Sequence, residues 1–89
     1  MDIQNEFKLK SEEISNSNFK ISDQDKLTLY GLYKQSTVGN INIDEPWKIY
    51  ITDHAKWVAW NNNKNVSKEK AMKQYIQAAD IIIKKANTN

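Results

Sequence analysis

The 89-residue chain contains no cysteine and no arginine, and it has only two glycines and one proline. Without cysteine there is no disulfide, thiolate nucleophile or thiolate metal ligand, which is typical of a reducing compartment and predicts a cytoplasmic protein. All 13 basic side chains are lysines, and the formal net charge is only +2. Because arginine is the preferred side chain for bidentate contacts with phosphates and bases, this composition argues against nucleic-acid binding.

Long hydrophobic runs are missing as well. The longest unbroken aliphatic run covers residues 81–83, whereas a membrane span needs about 20 apolar residues. No signal-peptide pattern opens the sequence. These features predict a soluble protein without membrane insertion. The length predicts one small domain over residues 1–89 and excludes a large catalytic scaffold.

Catalytic and metal-binding motifs are scarce. His54 is the only histidine, and a histidine in the first turn of a helix is typically a solvated surface residue. The sequence has no serine nucleophile motif, no glycine-rich phosphate loop and no metal-ligand spacing. The carboxylate pair Glu12 and Glu13 is typical of a solvated helix face. We therefore predict no catalytic residue, no metal site and no cofactor.

Apolar residues instead recur at three- and four-residue steps in four segments, which predicts an all-α fold. The first helix has one apolar side and ends at the polar stretch 15–18. That apolar side is formed by Ile3, Phe7 and Ile14. The second helix runs over about residues 23–36, with the Ser22 hydroxyl as its N-terminal cap. Residues 37–51 then form a connection long enough to cross the molecule.

Two further helices follow this connection. Thr52 or Asp53 can cap the third helix, and Asn65 can close it in the left-handed conformation. Ser67 can cap the fourth helix, which carries the clearest amphipathic stripe of the chain. The residues of that stripe are Met72, Tyr75, Ile76, Ala79, Ile83 and Ala86.

One helix face combines phenol hydroxyls with an ammonium group. Tyr30 and Tyr33 are three residues apart, and Lys34 follows Tyr30 by four, so the three side chains share a face of the second helix. Two interpretations are open for this face and for Lys56 and Tyr75. The tyrosines can be partly buried core residues with exposed hydroxyls. Alternatively, all five residues can share a ligand that offers phosphate oxygens and a planar base.

Several motifs of the chain resemble those of the acyl-CoA-binding protein family, over about residues 7–85. The motifs are Tyr-Lys-Gln-Ser-Thr-Val-Gly at 33–39, Lys-Trp-Val-Ala-Trp at 56–60, Ser-Lys-Glu-Lys-Ala-Met at 67–72 and Tyr-Ile at 75–76. The resemblance implies a four-helix bundle with a long connection between helices two and three. It also implies non-catalytic binding of medium- to long-chain fatty acyl-CoA, by a cytoplasmic, monomeric carrier that meets acyl-CoA-using enzymes transiently.

The resemblance also assigns roles to single residues. Tyr30, Lys34 and Lys56 match the family positions that hold the 3′-phosphate of coenzyme A. Tyr33 matches an adenine contact, and Tyr75 matches a contact on the adenine side or the acyl side. A packing position that can also touch the acyl chain is matched by Leu27.

The chain departs from the family pattern at positions near the expected ligand. Lys26 replaces an apolar residue near the acyl chain, Ser15 replaces a lysine near the nucleotide, and Trp47 replaces a glycine in the long connection. An alternative hypothesis is a small helical protein-interaction module that has lost ligand binding. Its partner surface would be formed by the face of Tyr30 and Tyr33 together with Trp47.

Overall fold

The protein is described by a computed structural model that covers residues 2–18 and 20–87. Within these ranges the chain forms four α-helices and no strand, which confirms the predicted all-α class. The helices are α1 (Ile3–Ser15), α2 (Asp23–Thr37), α3 (Ile51–Asn61) and α4 (Lys68–Asn87). No helix in the described part is long and apolar enough to cross a membrane.

Side-chain caps start three of the four helices. The Asp2 carboxylate accepts a hydrogen bond from the backbone N–H of Asn5 at 2.8 Å. The Ser22 and Ser67 hydroxyl oxygens accept hydrogen bonds from backbone N–H groups three residues later, each at 3.1 Å, as the sequence predicts. Such caps satisfy donors that have no partner within the helix.

The start of α3 differs from the prediction. The helix begins at Ile51, after Tyr50, and no side chain caps it. The prediction of Thr52 or Asp53 as the cap is therefore wrong, because both residues lie inside the first turn. A preceding turn, in which the Tyr50 N–H donates to the Trp47 carbonyl at 3.0 Å, brings the chain into the helix.

Helices α2 and α3 run in the same direction. Near the start of this packed pair, Leu27 lies opposite Ala55. Further along, Gly31 lies so close to Ala59 that a Cβ atom on the glycine would be 2.3 Å from the Ala59 carbonyl oxygen. Two parallel neighbours cannot be joined by a hairpin, so the connection between Thr37 and Ile51 returns along the bundle, as its length predicts.

Two indole groups hold this long connection against α3. The Trp57 Nε1–H donates to the Ile43 carbonyl at 3.0 Å, and the Trp60 Nε1–H donates to the Gly39 carbonyl at 2.8 Å. Trp60 is buried, so its polar tip is satisfied inside the protein. The Lys-Trp-Val-Ala-Trp motif thus fixes the path of the connection over α3.

Helix α4 packs against both α1 and α2 and completes the bundle. Its buried stripe forms a core with residues of the other two helices; the members are Phe7, Leu29, Leu32, Tyr75, Ile76, Ala79 and Ile82. The sequence pattern predicted Ile83 for this stripe, but Ile82 is the buried residue and Ile83 is half-buried. Ala71 is also fully buried, although the predicted stripe began one residue later.

A buried amide joins the C-terminal ends of α2 and α3. The Gln35 Nε2 group donates to the Asn40 side chain at 3.0 Å and to the Val66 carbonyl at 2.8 Å. The Asn40 Oδ1 atom also accepts from the backbone N–H of Asn65 at 2.7 Å. Asn65 has φ of 73°, which confirms its predicted left-handed conformation.

Candidate functional site

Tyr30 lies where three surface clefts meet. Its side chain is half-buried on α2, and it lines one cleft between α2 and α3, a second between α1, α2 and α4, and a third beneath the long connection. A ligand that contacts Tyr30 can therefore extend into more than one cleft. Below, the first is called the α2–α3 cleft and the second the tyrosine cleft.

The α2–α3 cleft is an open, mainly apolar groove of about 520 Å³. Its α2 wall repeats at three- and four-residue steps, so it is one face of that helix. The residues of both walls are Asp23, Lys26, Leu27, Tyr30, Ile51, Thr52, Ala55 and Lys56. Apolar side chains occupy the middle of the groove and charged groups lie toward its ends. Such a groove can hold a flexible hydrocarbon chain whose polar end meets a cation.

The tyrosine cleft has about 430 Å³ and is built around stacked rings. The Tyr33 ring stacks on Phe7 with 5.6 Å between ring centroids, and Tyr75 meets Phe7 edge-on at 5.0 Å. Tyr33 is 43% exposed, whereas Tyr75 is only 4% exposed. One ring therefore has a surface open to solvent, and buried rings support it from behind.

Burial changes the acidity of one of these phenols. Removal of Tyr75 from water raises the pKa of its hydroxyl, and the neighbouring Tyr33 raises that pKa further. The Tyr75 phenol is therefore neutral throughout the physiological range and can act as a hydrogen-bond donor.

Two lysines approach the site from α2 and α3. The Lys56 Nζ atom lies 5.5 Å from the centroid of the Tyr30 ring, and the Lys34 Nζ atom lies 4.8 Å from the Trp60 ring. In residues 2–18 and 20–87, neither ammonium forms an ion pair with a carboxylate. Their charge is thus available for an anion beside Tyr30.

The structure groups the sequence-predicted residues into two sets that share Tyr30. Leu27, Tyr30 and Lys56 line the α2–α3 cleft. Tyr33 and Tyr75 line the tyrosine cleft with Tyr30. Lys34 lines neither of these clefts and lies over Trp60, a residue that lines the third cleft with Tyr30 and Lys56.

Sequence reasoning missed the contribution of α1 to the site. Ser11, Glu12 and Asn16 line the tyrosine cleft, together with Ser15. No motif marks these polar residues, and only their position on the helix face that adjoins Tyr33 could have indicated them. The same applies to Ile51, whose place on the α2–α3 cleft depends on where α3 begins.

His54 lies apart from any metal-binding group. Its Nε2 atom is 2.7 Å from the Glu45 carboxylate, which holds the long connection to the first turn of α3. Among the described residues there is no group of three or more His, Cys, Asp or Glu side chains that could hold a metal ion. The chemistry of the site is thus that of hydrogen bonds, stacking, one apolar groove and two cations.

Comparisons with known sequences agree on one family. The family described as Acyl CoA binding protein matches residues 4–79. The chain is 36% identical over 85 residues to an acyl-CoA-binding protein described for a species of Hypsibius, with 96% of each chain covered. It is 43% identical over 76 residues to acyl-CoA-binding domain-containing protein 3 of Oryza sativa subsp. japonica, covering 85% of this chain and 49% of that protein.

Solved structures show the same architecture. The crystal structure of acyl-CoA-binding protein 2 from Oryza sativa superposes with a TM-score of 0.90 at 38% identity, covering 99% of this chain and 98% of that one. The crystal structure of the Moniliophthora perniciosa protein gives a TM-score of 0.88 at 32% identity, covering 98% and 85%. The described bundle is therefore similar to these proteins along nearly its whole length.

Proposed function

The chain belongs to the acyl-CoA-binding protein family, and from that premise we propose that it binds medium- to long-chain fatty acyl-CoA thioesters and carries them within the cytoplasm. Proteins of this family bind acyl-CoA without catalysing a reaction. The observation that carries the proposal is the position of Tyr30, which joins an apolar groove to an aromatic cleft beside two lysines.

The 3′-phosphate of coenzyme A is proposed to lie between Tyr30, Lys34 and Lys56. The phosphate carries nearly two negative charges, and neither ammonium is paired with a carboxylate in the described part of the chain. Each charge-assisted hydrogen bond contributes roughly 1.5–3 kcal/mol, and the sum is less than additive. The Tyr30 hydroxyl adds a neutral donor between the two cations.

The adenine ring is proposed to contact Tyr33, whose exposed ring can stack on a planar base. Tyr75 supports this position, because it lies 6.2 Å from Tyr33 between ring centroids and both rings contact Phe7. The neutral Tyr75 hydroxyl avoids the repulsion that an ionised phenol would exert on the phosphates.

The acyl chain is proposed to follow the α2–α3 cleft past Leu27 and Ala55. Each methylene removed from water contributes about 0.8 kcal/mol, before the cost of ordering the chain. The thioester then lies against protein on one side and the coenzyme on the other. Because both clefts are open to solvent, the ligand can be passed to an acyl-CoA-using enzyme by a monomeric carrier.

Calorimetric titration of the purified protein tests this function. We expect tight one-to-one binding of palmitoyl-CoA, weak binding of free coenzyme A, and a loss of several hundred-fold or more when the 3′-phosphate is absent from the ligand. A loss of that size corresponds to about 3–5 kcal/mol. The double variant Lys34→Ala with Lys56→Ala should lose affinity for palmitoyl-CoA but respond little to removal of the 3′-phosphate.

A matched control changes the same charge elsewhere. Lys64→Ala with Lys70→Ala removes two exposed lysines that line neither the α2–α3 cleft nor the tyrosine cleft, and it should keep full affinity. Full affinity in the Lys34/Lys56 variant would refute the proposed phosphate site. An absence of binding by the unmodified protein would instead favour the protein-interaction hypothesis.

A further inference from the structure

Four large apolar side chains are strongly exposed on the turn that leads into α3. Trp47, Ile49 and Ile51 are each 78% exposed, and Tyr50 is 60% exposed. The hydrogen bond from the Tyr50 N–H to the Trp47 carbonyl keeps them within one tight segment, which we call the apolar turn (residues 47–51). A contiguous exposed apolar surface of this kind marks a binding site rather than ordinary surface.

The α2–α3 cleft opens onto the apolar turn. Because α2 and α3 are parallel, their first turns lie at the same end of the bundle. Ile51 belongs both to the cleft wall and to the apolar turn, and Asp23 lines the cleft at the same end. The other end of the cleft is formed by Tyr30 and Lys56. A chain that enters the cleft beside Tyr30 therefore leaves it beside Ile51.

The length of the cleft limits how much hydrocarbon it can cover. Its α2 wall runs from Asp23 to Tyr30, which is about 10 Å at a rise of about 1.5 Å per residue. An extended hydrocarbon chain advances about 1.3 Å per carbon, given a C–C bond of about 1.5 Å. The cleft therefore covers about eight carbons, and roughly half of a palmitoyl chain would extend beyond it.

We propose that the apolar turn is the second half of the tail site, and that Trp47 and Ile49 cover the distal carbons of long acyl chains. This proposal rests on the proposed function. It makes Trp47 a specificity-determining residue that favours acyl chains of about twelve carbons or more over shorter ones. The glycine that the family has at this position offers no such side chain, so the preference would be particular to this protein.

The charged groups near this end are compatible with a hydrocarbon between them. Asp23, Lys26 and Lys48 are all exposed, so each stays hydrated at the edge of the path. The aliphatic part of a lysine can cover hydrocarbon while its ammonium remains in water. The acyl chain therefore passes the Lys26 stem without burial of its charge.

The area of the apolar turn also favours a lipid tail over a second copy of the protein. A stable protein interface buries about 800 Å² on each partner, from some twenty residues. Four side chains, of which the aromatic ones offer roughly 150–250 Å² each, fall short of that. A single acyl chain is narrow enough to be covered by the same four side chains.

A chain-length series tests the proposal. Affinities for octanoyl-, dodecanoyl-, palmitoyl- and eicosanoyl-CoA are measured by calorimetry for the unmodified protein, Trp47→Ala and Trp47→Phe. We expect Trp47→Ala to lose about five- to twenty-fold for palmitoyl- and eicosanoyl-CoA and less than two-fold for octanoyl-CoA, a difference of about 1–2 kcal/mol. Trp47→Phe should retain most of the long-chain affinity.

The control is Ile81→Ala, which removes another exposed apolar side chain, on α4 and away from the α2–α3 cleft. It should leave every affinity unchanged. An equal loss at all chain lengths in Trp47→Ala, or no loss at palmitoyl-CoA, would overturn the proposal. If the unmodified protein bound neither octanoyl- nor palmitoyl-CoA, the proposed function itself would fail, which is a distinct result.

Other occupants of the apolar turn give different results in the same samples. Ligand-free protein is sedimented with phosphatidylcholine vesicles and is separately run at increasing concentration in the ultracentrifuge. We expect no vesicle binding and no dimer that depends on Trp47. Vesicle binding or dimerisation that Trp47→Ala abolishes, together with unchanged palmitoyl-CoA affinity, would assign the turn to a membrane or to a second copy and would refute the tail site.

Discussion

The close approach of α2 and α3 at Gly31 makes a prediction that links stability to binding. A Cβ atom at this position would lie 2.3 Å from the Ala59 carbonyl oxygen and 2.7 Å from its carbon. These are backbone atoms, and the same oxygen already accepts a hydrogen bond from the Asn63 side chain at 3.1 Å. The clash in Gly31→Ala therefore cannot be relieved by a rotamer change, and the α3 backbone has to move away from α2.

The expected loss of stability follows from two opposing contributions. Overpacking of this kind costs typically about 1–3 kcal/mol or more, whereas replacement of glycine by alanine inside a helix gains about 1 kcal/mol. We expect Gly31→Ala to lose about 1–2 kcal/mol in free energy of unfolding. For a domain of this size, that corresponds to a fall in Tm of roughly 5–15 °C. Urea unfolding followed by circular dichroism measures it.

The same substitution should weaken palmitoyl-CoA binding, because displacement of α3 widens the cleft beside Tyr30 and Lys56. Gly39→Ala is the matched control. Gly39 has φ of 98° and its nearest neighbour, a flexible Lys68 carbon, would lie 3.5 Å from the new Cβ atom. It should lose about 1 kcal/mol through backbone strain but keep its affinity. Unchanged stability and unchanged affinity in Gly31→Ala would refute this account of the helix contact.

Two further predictions concern polar contacts that join helices. Gln35→Leu keeps the side-chain volume but leaves the buried Val66 carbonyl without the donor that it has at 2.8 Å, so we expect a loss of about 1–3 kcal/mol in urea unfolding. An equal stability would show that this amide is dispensable. Lys10 contacts Asp80 of α4 at 2.7 Å, and this hydrogen bond, with a smaller contribution from Glu13, raises the pKa of the lysine above 10.5. Because the folded pKa is the higher one, the pair stabilises the protein fully below that pH and ceases to do so as the pH rises through the folded pKa. A double-mutant cycle of Lys10→Met and Asp80→Asn should give a coupling of at most about 1 kcal/mol at pH 7; a coupling that grew with rising pH would contradict the assignment.

The sequence predicted those features of the fold that depend on local chemistry. Ser22 and Ser67 were identifiable as caps because a hydroxyl before a helix can reach a backbone N–H three residues later. Asn65 was identifiable because few side chains tolerate positive φ. The beginning of α3 was not predictable in this way, since a turn and not a side chain brings the chain into the helix at Ile51.

Features that depend on tertiary distance were not predictable from the sequence. The Gln35 amide bonds to a carbonyl 31 residues away, and no local pattern indicates such a partner. The choice of Ile82 over Ile83 for the core depends on the rotation of α4 against its neighbours, which three successive isoleucines leave undetermined. For the candidate site, family motifs indicated Tyr30 and its neighbours, but only the fold brought Ser11 and Glu12 of α1 to the same cleft.

The packing of α1 against α4 has a consequence for how the chain folds. Phe7 contacts Tyr75 and Lys10 contacts Asp80, so the partners of the first helix lie about seventy residues later in the sequence. Contacts between such distant segments form slowly, because a long loop must close before they stabilise anything. During synthesis, α1 has no folded surface to join until α4 has left the ribosome. The bundle is therefore expected to assemble in one step after synthesis, with α4 as the last and deciding element.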